Sequence, residues 1–181
     1  MLGINEAICA FKYDIPINPS LLISLLSCWS PVTNTFFFFF FFWKVHDPTV
    51  SDVFALTCLR PMGAFAHNLM AAGKGPKEDI LNDIPLNYDD FMKAMKGSAS
   101  SPVTYKEECC FCLFWICKFL ACTSSKWVIN YYLPIAWFLA NGTPVDLNSF
   151  VLGELYRATF LLSTEPKQSH GGPIWLIQMW V

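Results

Sequence analysis

Charged side chains are scarce in this chain: Asp, Glu, Lys and Arg make up 14% of its 181 residues, against roughly 25% in ordinary soluble domains. The 12 basic residues are scattered and the net charge is −2. With no basic stripe to neutralise phosphates, direct nucleic-acid binding has no electrostatic footprint. The amino terminus, Met1-Leu2-Gly3-Ile4-Asn5-Glu6, lacks the basic region and apolar core of a secretory signal, so the expectation is a chain that is not secreted. Histidine is rare, and His46, His67 and His170 stand isolated in loop-like sequence. No Gly-x-Ser-x-Gly word is present, which leaves a hydrolase triad without an anchor. No repeat of roughly 20 to 50 residues appears, which argues against a solenoid, and no second domain is visible.

Apolar residues, in contrast, are abundant: 54% of the chain, above the usual roughly 45–50%. From Cys109 to Ala140 the charges are Lys118 and Lys126 alone. Thr123-Ser124-Ser125, Asn130 and Pro134 cut that region into pieces shorter than the ~20 residues of a spanning helix. A buried core is therefore the expectation, with membrane association through 109–140 as an alternative. The eight cysteines read as buried thiols of a reducing compartment rather than disulfides. Cys109-x-x-Cys112, followed by Cys117 and Cys122, has metal-like spacing. Four ligands strung along one apolar helix cannot converge tetrahedrally on one ion, however, so no metal residue is nominated. Asn141-Gly142-Thr143 matches a glycosylation sequon but reads as a helix-ending turn.

The centre of the chain is Thr104 to Cys122. Thr104-x-x-Glu107 is a capping box, and the run that follows is apolar nearly all round, which requires burial on most sides. Before it, Asn18 or Ser20 can cap a helix over 21–29 that Pro31 stops. Thr49, with Asp52 three residues on, caps a helix carrying Val53, Phe54 and Leu56. Residues 64–85 pattern weakly, and Gly73-Lys74-Gly75-Pro76 lacks the spacing of a phosphate loop. Tyr88 to Lys96 is helical in pattern, and Ser98 to Pro102 is a linker. Trp127 to Ala140 predicts a helix that Pro134 begins or kinks. Asp146 or Asn148 caps a helix over Ser149–Leu162, and Pro173 opens a last one.

Phe36 to Phe42 is a run of seven phenylalanines. A strand there would place Phe on both faces and is an aggregation hazard unless covered. Two readings stay open: a buried strand, or a translated poly-T tract of the kind found at an intron end. The predicted fold class is mainly α, with six or seven short helices around the Thr104–Cys122 helix. At most one small strand pair is expected, near Thr35–Trp43. One domain is expected over residues 1–181, with N-terminal helices in 10–60, a weakly patterned linker region in 61–102 and a helical core in 103–181.

Several words in order carry a resemblance: Trp29-Ser30-Pro31-Val32-Thr33-Asn34-Thr35-Phe36, Pro48-Thr49-Val50-Ser51-Asp52-Val53-Phe54-Ala55-Leu56-Thr57, Cys117 to Lys126, Tyr132-Leu133-Pro134-Ile135-Ala136, Val151-Leu152-Gly153-Glu154-Leu155-Tyr156-Arg157-Ala158, and Gly171-Gly172-Pro173-Ile174-Trp175 onward. Together they resemble the plant mobile domain, also called aminotransferase-like, of plant transposable elements and maintenance-of-meristems-type host proteins. The phenylalanine run departs from that pattern. In the family the last helix continues and more domain follows, so the resemblance implies a C-terminally truncated copy. It also implies a nuclear protein with roles in meristem maintenance, transposon silencing and genome stability.

The family label invites an enzymatic reading, as a pyridoxal-phosphate transferase or a transposase-related nuclease. A transaminase needs a Schiff-base lysine, an acidic partner for the pyridine nitrogen and a phosphate loop. Lys118 lies in an apolar helix without those companions, where a lysine more often snorkels outward. Asp89-Asp90 could mimic paired metal carboxylates, yet no third acid is placed by pattern. No catalytic, cofactor-binding or metal residue is nominated, no cofactor is expected, and other proteins are the expected partners of a non-enzymatic interaction module. Glu154 and Arg157 fit a helix-surface ion pair, or else Arg157 holds the polar loop before Gly171-Gly172.

Overall fold

Side-chain caps set most of the helix starts. The computed structural model describes residues 15–38, 45–73, 75, 80–81, 84–95, 97, 101–124, 126–166 and 171–181. Asn18 accepts the Leu21 amide and Pro19 stands in the first turn of α1 (Pro19–Ser27). Thr49 and Asp52 close a complete capping box on α2 (Val50–Thr57), which ends on Cys58 in the left-handed conformation. Short helices α3 (Ala66–Ala71) and α4 (Tyr88–Met95) follow. Thr104 and Glu107 form the second capping box, on α5 (Tyr105–Trp115). Then come α6 (Leu133–Ala140), α7 (Leu147–Thr164) and α8 (Trp175–Trp180).

The expected central helix is central. Cys109, Cys110, Leu113, Ile116, Cys117 and Leu120 are fully buried, and α5 packs along α6 and against α4. Its last part is not α-helical: Ile116–Leu120 is a π-helical segment, closed by the Ala121 amide donating to the Ile116 carbonyl at 2.8 Å. The chain then turns sharply at Cys122.

The mainly α class holds, with more strand than the single pair expected. A three-stranded antiparallel sheet, in the order β1-β2-β3, is formed by β1 (Trp29–Ser30), β2 (Thr35–Phe37) and β3 (Val45–His46). Its register sets Phe36 opposite both Trp29 and His46. Phe36 is fully buried against Trp29 and Trp180, with ring centroids 4.7 and 5.6 Å away. Phe37 points outward. The start of the phenylalanine run is thus a covered strand, alternating as the pleat demands; Phe39 to Phe42 lie outside the described residues. A parallel pair, β4 (Ala64–Phe65) with β5 (Val145–Asp146), joins segments remote in sequence.

Elsewhere the helix limits move. Residues 127–129 are extended rather than helical, following Lys126 in the left-handed conformation, because the Val128 amide donates to the Leu86 carbonyl and the Tyr88 amide to the Lys126 carbonyl. A 3-10 turn, Asn130–Tyr132, leads into α6, which Pro134 begins rather than kinks. The weakly patterned 64–85 region contains β4 and α3.

Candidate functional site

Helix α7 is the platform from which two linked surfaces are built. At its start the buried Asp146 carboxylate accepts from the Ser149 amide at 2.9 Å and the Ser149 hydroxyl at 2.7 Å. Of the two expected caps, Asp146 is the one used. Asn148 lies inside the helix, fully buried, and its amide nitrogen donates to the Leu59 carbonyl at 2.7 Å and the Val50 carbonyl at 3.0 Å. One side chain therefore ties α7 to both ends of α2.

Ser149, Phe150, Gly153 and Glu154 share one face of α7. Phe65, Ala66, His67 and Met70, from β4 and α3, stand opposite, and Asp146 closes one end of a cleft of about 220 Å³. Its floor contains an anomaly. Gly153 is exposed in the interior of an 18-residue helix, and nothing lies within 4 Å of where its Cβ would be. A glycine there costs the helix about 1 kcal/mol against alanine, and no packing inside the described chain requires it.

Glu154 is held from two sides. Its Oε1 accepts the Tyr132 hydroxyl at 3.2 Å, and its Oε2 accepts Arg157 Nε and Nη2 at 2.9 and 2.7 Å. Burial first, and the Glu154 carboxylate second, push the Tyr132 phenol well above its ordinary range, so it stays a donor. The Tyr132 ring meets Phe150 edge-on at 5.5 Å. On its other side Tyr131 lies edge-on at 5.6 Å, at the end of an exposed stripe of Trp127, Ile129 and Tyr131 that alternates with buried Val128.

The residues weighed in the sequence fall elsewhere. Burial pushes the thiols of Cys109 and Cys112 up to about 12 and those of Cys110, Cys117 and Cys122 up to about 11, which makes them poor nucleophiles at neutral pH. Among the described residues no three His, Cys, Asp or Glu side chains gather where they could hold a metal ion, and no helix is long and apolar enough to cross a membrane. Lys118 is exposed on the π segment, its ammonium 5.1 Å from the Phe119 ring centre and 5.5 Å from that of Phe114. Asp89 and Asp90 are exposed in the first turn of α4, with Asp90 paired to Lys93 at 3.3 Å. His46 is exposed on β3, His67 lines the cleft from α3 rather than a loop, and His170 lies outside the described residues. Arg157 is the expected surface ion pair. Residues 167–170 of the polar loop lie outside the described residues; just after them the Gly172 amide donates to the Cys122 carbonyl at 3.0 Å, and a Cβ on Gly172 would come within 2.2 Å of that of Ala158.

A second hollow, of about 260 Å³, lies where α4 ends and α5 begins. There the Glu107 carboxylate accepts the Thr104 amide at 2.6 Å and is also bonded by the Gly97 backbone, so it ties the end of one helix to the cap of the next.

Sequence reasoning passed over the cleft, Tyr132 and the stripe. The one local signal was Gly153, an isolated glycine within a helical pattern. The fold is that of a mainly α domain whose apolar surface is displayed around one long helix. The chain matches the plant mobile domain family over residues 3–181 and belongs to that family. No curated protein and no solved structure matches it.

Proposed function

We propose that this plant mobile domain acts by binding other proteins and is not an enzyme. The observation that carries the reading is the stripe of Trp127, Ile129 and Tyr131. These are large apolar side chains held outward, Trp127 and Ile129 by an extended segment whose backbone is pinned to 86–88 and Tyr131 by the 3-10 turn that follows it. Aromatic residues fixed on a rigid backbone are the kind that anchor protein interfaces, because little side-chain entropy is lost on binding. The wider reading is a nuclear protein of transposon-derived ancestry serving meristem maintenance and transposon silencing, and membership of the family supports it.

The test is proximity labelling in plant nuclei with the full chain and with the Trp127→Ala/Tyr131→Ala variant. Loss of a reproducible set of labelled proteins by a variant that keeps its melting temperature supports the reading. The same set for both chains overturns it, as would a pyridoxal-phosphate absorbance band that forms on reconstitution and reports transamination.

A further inference from the structure

We infer that the cleft between α3 and α7 seats a lysine or arginine side chain of a partner protein, flanked in that partner by apolar residues. The inference rests on the protein-binding reading above and gives it a place and a chemistry. Gly153 is the first argument. The helix forgoes a side chain where nothing in the described chain needs the room, so the floor is left open to something that approaches the backbone of α7. Size is the second. About 220 Å³ is below the roughly 300–1,000 Å³ of sites that enclose a small molecule, and it suits one long side chain.

Charge is the third argument. Asp146 and Glu154 line the cleft and no Lys or Arg is among its described lining residues; Arg157 pairs with Glu154 from outside that lining, so the net negative charge of the cleft is that of Asp146. A carboxylate offers about four acceptor positions. Asp146 uses one on each oxygen for Ser149, and Glu154 uses three, for Tyr132 and Arg157, so acceptor capacity remains on both. Phe65, Met70 and Phe150 form apolar walls for the alkyl stem, as basic side chains require when their heads are bound. Tyr132 joins this cleft to the aromatic stripe, which would take the apolar neighbours.

The test is an amide NMR titration of the full chain with three capped tripeptides: Leu-Arg-Leu, Leu-Lys-Leu, and Leu-citrulline-Leu, which has the shape of the first without its charge. The basic peptides are expected to shift the Gly153 and Phe65 signals saturably in the millimolar range, and the citrulline peptide to bind about tenfold more weakly. Gly153→Leu fills the floor with a strong helix former, so it should raise the melting temperature and abolish the shifts. Equal binding of the citrulline peptide, unchanged binding to Gly153→Leu, or no shift at Gly153 would each overturn the inference. Shifts confined to Trp127, Ile129 and Tyr131 would end the cleft inference and leave the protein-binding reading standing. Saturable shifts at Gly153, together with cellular labelling indifferent to the stripe, would support the cation seat and remove the stripe from the protein-binding surface.

Discussion

Asn148 should be the most costly polar side chain to remove. Its amide satisfies the Leu59 carbonyl just beyond the end of α2 and the Val50 carbonyl at its start, in a fully buried setting. In Asn148→Ala the bond to Val50 is worth about 1 kcal/mol net, and the buried Leu59 carbonyl left without its donor costs about 1–3. Some of this is offset, because Asn148 Oδ1 has no partner among the described residues and its burial penalty disappears with it. The sum is a loss of about 2–3 kcal/mol, which for a chain of this size lowers the melting temperature by roughly 4–12 °C. Asn148→Asp keeps the shape but turns a carboxylate toward two carbonyl oxygens, and should lose more than the alanine variant at neutral pH.

The sign with pH separates the two variants. The introduced carboxyl is disfavoured as an anion, so its folded pKa lies above the ordinary ~3.9. The variant is then most stable below that value, where the protonated group can donate one of the lost bonds, and it weakens as pH rises through the folded value. Urea melts of the three chains between acid and neutral pH measure this. An alanine variant within about 0.5 kcal/mol of the parent, or an aspartate variant no worse than alanine at neutral pH, would refute the clamp.

Three further outcomes are expected. The five thiols of the Cys109–Cys122 region should resist alkylation in the native chain while exposed Cys58 reacts; their folded pKa values are raised from 9.0 to about 11–12, so stability should be intact below pH 9 and lost as pH rises toward them in an alkaline melt. Hydrogen bonds from Thr104 hold Glu107 below its ordinary 4.5, so its contribution is present above that pH and lost as pH falls through the depressed value; Glu107→Gln should flatten the acid limb of a stability-versus-pH curve. Arg157→Ala should lose no more than about 1 kcal/mol in a urea melt, because the guanidinium is half exposed and serves a surface pair.

What the sequence made legible was whatever is set locally. Both capping boxes, the Asn18 and Asp146 caps and the burial of most of Cys109 to Leu120 follow from residues a few places apart, and all are present, with Phe111 and Lys118 the exposed positions of that run. The parallel pairing of Ala64–Phe65 with Val145–Asp146 and the bridge from Asn87 to Trp127 were not legible, because each strand is too short to show a period and its partner is distant in the chain. The same limit explains residues 127–129. Their apolar pattern suits a helix, and only the bonds to 86–88 make them extended. The site suffered for the same reason, since the walls of the cleft come from β4, α3, α7 and the end of β5, segments remote in the chain.

Tyr132 shows why the cleft and the stripe should be treated as one surface. Its ring is buried between Phe150, which belongs to the cleft, and Tyr131, which belongs to the stripe. Its hydroxyl fixes the Glu154 oxygen that Arg157 does not use. Burial keeps that hydroxyl protonated throughout the neutral range, so it positions the carboxylate without competing with it as a charge. A partner that moved Tyr131 would press on the ring that orients Glu154, and a cation drawn to Glu154 would load the same ring from the other side. Because protein interiors are close-packed, such a load is transmitted rather than absorbed. Occupation of either surface should therefore alter affinity at the other, and equally in both directions.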